Sequence, residues 1–149
     1  MSYCDALTQI DFTGLHKLTN VGEFWLIGCG ALTQVYFAGL HNLFSVGRGW
    51  LNRCAKLTSP NFTDLTSLKR VGDDWLSYCG ALTQVYFAGL RNLIRVGRGW
   101  LNRCDKLTSP NFAGLTALKH VGRFWMQSCP NMLTPDFKDV TIDDKSIEK

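Results

Sequence analysis

Cys29–Arg53 reads CGALTQVYFAGLHNLFSVGRGWLNR, and the same frame returns along the chain. Cysteine stands at Cys4, Cys29, Cys54, Cys79, Cys104 and Cys129, always 25 residues apart, and nowhere else. Trp25, Trp50, Trp75, Trp100 and Trp125 keep this period, as do Phe12, Phe37, Phe62, Phe87, Phe112 and Phe137. A fixed period of this length marks a solenoid: no unit buries its apolar face alone, and stacking makes one continuous core. The 149 residues read as a single solenoid with repeats 4–28, 29–53, 54–78, 79–103 and 104–128. The segment 129–149 keeps Met132, Pro135 and Phe137 in register and then becomes DVTIDDKSIEK, a degenerate last repeat and cap.

Within one coil, Leu32, Val35 and Phe37 form L-x-x-V-x-F, whose period-2 character predicts a short strand. Ala38–Gly39 ends it. Leu40, Leu43 and Val46 carry a second extended stretch, and Gly47 punctuates the chain. Trp50, Leu51 and Cys54 have the spacing of one inward-facing helical turn. Each coil is thus strand, turn, second strand and short helix, an α/β arrangement. A buried Trp or Phe contributes about 150–250 Å² of covered surface, so the two aromatic columns dominate the expected core.

A longer period overlies the short one. Cys29–Arg53 and Cys79–Arg103 differ only at His41/Arg91, Phe44/Ile94 and Ser45/Arg95, and the repeats from Cys54 and Cys104 share KLTSPNF. Pro60, Pro110 and Pro135 take the Val35 slot. Proline removes a ladder hydrogen bond, so alternate coils are expected to carry a shortened or kinked strand.

The strand motif L-x-x-V-x-F at Leu32–Phe37 and its copies resembles that of leucine-rich repeats. The downstream VG-x-x-WL-x-x-C resembles the BspA-like class, with Trp50–Leu51 in place of its small-plus-aromatic pair and Cys54 as its closing cysteine. The resemblance implies an α/β leucine-rich-repeat solenoid with its strands on the concave face. It also points to bacterial or protozoan surface and secreted proteins, a group without one common activity. Leu40 stands where many such repeats have asparagine, so no asparagine ladder is expected, and the unit is about two residues longer than the usual one.

Several function classes find no support. A net charge of +4 is too mild for a nucleic-acid binder. No apolar run is long enough to span a membrane, and Met1–Ser2–Tyr3 leads straight into the first repeat without a leader. A cysteine fixed in one slot among apolar columns reads as a free, buried core residue, because bridges need Cβ atoms facing each other. No paired metal spacing, nucleophile elbow or phosphate loop appears, so neither catalysis nor a cofactor is expected. Free thiols fit a cytoplasm and the resemblance fits a cell surface, so the compartment stays open.

A binding surface remains. The outward residues of the first strand form two columns. Tyr36, Asn61, Tyr86 and Asn111 make one, and Gln34, Ser59, Gln84 and Ser109 make the other. This face is nearly uncharged and its tyrosines are amphipathic anchors, so these eight residues are the candidate contacts for a protein partner. The column Glu23, Arg48, Asp73, Arg98, Arg123 alternates in sign over its first four members and is expected to make ion pairs between coils. Asn20, Ser45, Arg70, Arg95 and His120 become basic toward the end, and Phe44 and Ile94 add exposed apolar surface. At the amino end, Leu7, Ile10 and Phe12 are expected to face solvent beside an unpaired edge, which implies either a missing upstream segment or a homodimer through the first coil. The alternative to partner recognition is therefore a structural, self-assembling repeat segment.

Overall fold

The computed structural model describes residues 1–133. Pro135, Phe137 and the expected cap lie outside the described residues. Seven short parallel strands recur at the repeat spacing: β1 (Asn20–Val21), β2 (Gln34–Tyr36), β3 (Ser45–Val46), β4 (Ser59–Asn61), β5 (Arg70–Val71), β6 (Arg95–Val96) and β7 (His120–Val121). They form two sheets, β1-β3-β5-β6-β7 and β2-β4. The continuous ladder thus belongs to the second extended stretch of each coil. The L-x-x-V-x-F stretch pairs only as β2 with β4 and as a single bridge between Tyr86 and Asn111.

Between the sheets the aromatic columns stack. Phe12, Phe37, Phe62, Phe87 and Phe112 lie face to face at 5.6–5.9 Å. Trp50 and Trp75 stack at 5.2 Å with planes 3° apart. Phe37, Phe62, Phe87 and Phe112 also meet a Trp edge-on, as Phe62 does Trp75 at 5.3 Å and 73°. Such pairs contribute about 0.5–1.5 kcal/mol each beyond their burial. Leucines and valines of the repeat slots close the core around them, with Leu32, Val35, Leu40 and Leu43 fully buried.

No helix forms among the described residues, so the expected helical turn at Trp50–Cys54 is not present and the coil is built from strands and turns. The backbone explains the difference. Gly49, Leu51 and Arg53 have φ of 74°, 57° and 60°, and the same alternate slots are left-handed in the other coils, as at Asp74, Leu76 and Tyr78. Such alternation cannot close a helix. Its amides leave the coil instead. The N–H of Gly49 donates to Asp73 of the next coil (2.7 Å), that of Leu51 to Trp25 of the preceding one (3.2 Å), and that of Arg53 to Ser77 of the next (2.8 Å). A left-handed non-glycine residue costs about 1–2 kcal/mol. Complete burial of Leu51 and Leu76 and the bonds between coils offset it.

The cysteines belong to this device. All six are free. The thiols of Cys54, Cys79, Cys104 and Cys129 donate to the carbonyls of Leu26, Leu51, Leu76 and Leu101 at 3.1–3.2 Å. Each thereby gives a partner to the left-handed leucine one coil back. Asparagines do the same elsewhere: Asn42 and Asn92 donate to the carbonyls of His16 and Thr66 at 2.7 Å. These bonds fall on alternate coils, two residues after the Leu40 slot, and so make no continuous ladder.

Glycine is required where coils touch through their backbones. A Cβ at Gly72 would lie 2.5–2.8 Å from Arg48 N, Gly47 C and Arg48 Cα. Gly72→Ala is therefore expected to lower the unfolding free energy by about 1–3 kcal/mol, measured by denaturant titration. An unchanged midpoint would show that the coils have room to part. Burial also pushes the Cys54 thiol up to about 12 and holds Cys79 well above its ordinary value of 9.0. In the unfolded chain both ionise near pH 9.0, so the unfolded state loses protons first. The contribution of these thiols to stability should be constant below pH 9.0 and fall as the pH rises toward 12. The slope is about 1.4 kcal/mol per pH unit for each such thiol. A flat profile through that window would mean that the thiols are open to solvent.

Candidate functional site

In a parallel ladder, successive residues turn their N–H and C=O to opposite neighbours. Asn111 donates its N–H to Val85 O at 2.9 Å, so Val85 faces the coil that follows it. By the repeat, Val35 faces β4, and Pro60 faces the coil beyond, where it has no N–H to give. The pairing pattern follows. β2 and β4 pair over three residues, with Val35 opposite Pro60. β4 then makes no pairing with 84–86 among the described residues. The neighbouring bonds agree at Pro60: Thr58 N donates to Thr33 O and Thr108 N to Thr83 O, both at 3.0 Å, with no counterpart from Thr83 to Thr58, whereas in the coil of Pro110 Thr108 O accepts from Leu133 N at 2.8 Å.

At Pro60 the strand is not shortened, since β4 is as long as β2, whereas at Pro110 only Asn111 keeps a bridge. Pro60 opens the interval on one side. A groove of about 410 Å³ lies there, lined by Tyr36, Ser59, Pro60, Asn61, Gln84 and Tyr86 among others. Five of the sequence candidates thus come together in one concavity. Gln34 joins through Tyr36, and Ser109 and Asn111 continue the surface one coil on.

The side chains are held in place by their own coils. The Tyr36 hydroxyl donates to Gln34 Oε1 and the Tyr86 hydroxyl to Gln84 Oε1, both at 2.8 Å. These bonds leave the Gln amide hydrogens and the phenol lone pairs for a ligand. Tyr36 and Tyr86 are 47% and 57% exposed and stand two strand steps apart, about 10 Å. Asn61 and Asn111 are more engaged. Asn61 Oδ1 accepts from the Thr63 N–H and hydroxyl, and Asn111 Oδ1 from the Ala113 N–H, so each fastens the turn after its strand and offers only its amide hydrogens. At the amino end of the column the Thr13 hydroxyl and N–H hold the Asp11 carboxyl below its usual range. The far members of the columns, Thr134 and Asp136, lie outside the described residues.

Elsewhere the surface differs from expectation in two respects. Phe12 is only 5% exposed, because Phe37 and Trp25 cover it at ring distances of 5.6 and 5.1 Å. Leu7 and Ile10 are half-buried against the core. In the column of alternating charge, Asp73–Arg98 is an ion pair at 3.2 Å, whereas Arg48 stacks over Phe24 at 5.3 Å instead of pairing with Glu23. Sequence reading missed a further surface feature, the stack Arg53–Tyr78–Arg103, with both guanidiniums over the phenol ring at 5.1 and 5.5 Å. Its signal was the 25-residue column itself. No helix among the described residues is long and apolar enough to cross a membrane.

No family model matches the sequence, and no curated protein matches it. Among solved structures, the chain is similar to the crystal structure of a leucine-rich-repeat protein from T. pallidum. The two share 20% sequence identity with a TM-score of 0.60 over 87% of this chain and 64% of that one. Parallel strands at a 25-residue period, a core of stacked repeat positions and this likeness agree: the chain has the leucine-rich-repeat fold.

Proposed function

We propose that the chain is a non-enzymatic recognition scaffold that holds a protein partner in the groove around Tyr36, Asn61 and Tyr86. The observation that carries this reading is the interval opened by Pro60, flanked by two exposed tyrosines whose hydroxyls are already oriented. Such rings give a partner large contact area at low entropic cost, and the surrounding amides give hydrogen bonds without charge. An uncharged loop or edge of a folded protein is the occupant this chemistry suits. Affinity capture with the intact chain, compared with the Tyr36→Ala/Tyr86→Ala double variant, tests it. The variant should fold normally, since both rings are largely exposed, and should lose about tenfold or more in affinity for the captured partner. Undiminished capture would move the site elsewhere.

A second reading, self-association through the first coil, is favoured by a separate observation. Leu7, Ile10, Leu18 and Val21 are only partly buried, whereas their counterparts Leu32, Val35, Leu43 and Val46 are at most 3% exposed. A second copy laid against this end would complete their cover. Sedimentation over a concentration series should then show a dimer that Ile10→Glu returns to monomer. A monomer at the highest concentration rules this reading out.

A further inference from the structure

The five-stranded sheet carries a second groove, of about 870 Å³, whose lining includes Arg70, Arg95, Arg98 and His120 against the single carboxylate of Asp73. Arg70 is in register with Arg95, and Arg95 with His120, on neighbouring strands. Neighbouring strands lie about 4.8 Å apart. Like charges set opposite each other destabilise a sheet, so this row is at its most favourable with an anion across it.

The structure contains a template for that anion. Asp73 Oδ1 accepts the backbone N–H of Arg98 at 2.8 Å, and Asp73 Oδ2 accepts Nη2 and Nε of the same guanidinium at 3.2 and 3.3 Å. One residue thus grips a carboxylate with its main chain and its side chain together. One coil on, Arg98 stands in the slot of Asp73 and Arg123 in the slot of Arg98. Arg123, next to the groove's Gly122, thus carries the same two kinds of donor, and no carboxylate of the described residues is bonded to them. Beside it, on the strand margin, Ile94 is 36% exposed and Phe44 39%.

We propose that this groove is a second binding surface that takes an acidic peptide segment, with one carboxylate seated on the N–H and guanidinium of Arg123 as Asp73 sits on Arg98. Further carboxylates lie along Arg70 and Arg95, and an interleaved apolar side chain lies on Ile94. A peptide is favoured over a sulfated polysaccharide or a phosphate surface for two reasons. The built-in template is a carboxylate, and the apolar margin has no counterpart in those ligands. Charge-assisted bonds to a planar fork are strong and directional, which fixes the register of the segment.

The test uses the full chain and a fluorescent peptide of alternating aspartate and leucine, with its asparagine–leucine counterpart as control, followed by anisotropy. The acidic peptide should bind and the neutral one should not. Arg123→Ala and Arg95→Ala should each weaken binding by about tenfold. Arg98→Asp should do so too, because it supplies the vacant grip with a carboxylate of the chain itself. Lys56→Ala and Lys106→Ala, exposed cations away from the groove, should leave binding unchanged, as should Tyr36→Ala/Tyr86→Ala. Equal binding of the neutral peptide, or an equal loss from the two lysine variants, overturns the proposal. So does tighter binding of a sulfated polysaccharide or of anionic vesicles through the same arginines. Thermal unfolding of each variant separates lost binding from lost fold.

Discussion

Each coil of this solenoid spends its backbone amides on its neighbours. Tight turns hold some N–H groups inside a coil, as Leu40 to Phe37 and Leu43 to Leu40. The others reach forward or backward by one coil, at Gly49, Leu51 and Arg53 as much as in the two-residue strands. The register between coils is therefore the constraint on which everything else depends. It sets the 5–6 Å aromatic stacking, and it makes glycine necessary at Gly72 and Gly97, where a side chain would meet backbone or Asp73 atoms of the coil before. It also fixes the outward columns at one residue per coil.

The same constraint explains the cysteine column. A left-handed leucine turns its carbonyl toward the next coil, where the fully buried thiols of Cys54, Cys79 and Cys104 meet it. A thiol is small, apolar enough for the core and still a weak donor. That combination accounts for cysteine in a slot where packing alone would be met by alanine.

Much of this was legible in the sequence, and the reasons are specific. The Trp, Phe and Cys columns repeat without exception, so their burial could be read from spacing. The non-helical turn could not. W-L-x-x-C has the spacing of a helical turn, and the alternating left-handed backbone leaves its mark only in the scattered glycines Gly28, Gly49 and Gly99. Pro60 signals a break in pairing, but sequence alone does not say which neighbour a residue faces, so the break lies beside β4 and not within it. Asn42 and Asn92 were overlooked because Ser67 interrupts their column. Of the candidate contacts, the tyrosines stand clear, while Asn61 and Asn111 serve their own turns as well.

Pro60 and Pro110 stand 50 residues apart, in phase with Tyr36 and Tyr86, so tyrosine and proline belong to a two-coil cassette and not to the single repeat. Adding one such cassette of 50 residues would append a tyrosine, a proline slot and two rungs of the basic row, all in phase with those already present. Lengthening by duplication therefore multiplies equivalent sites along one axis. Affinity for a repetitive or extended target would then grow through valency, with no residue needing to change.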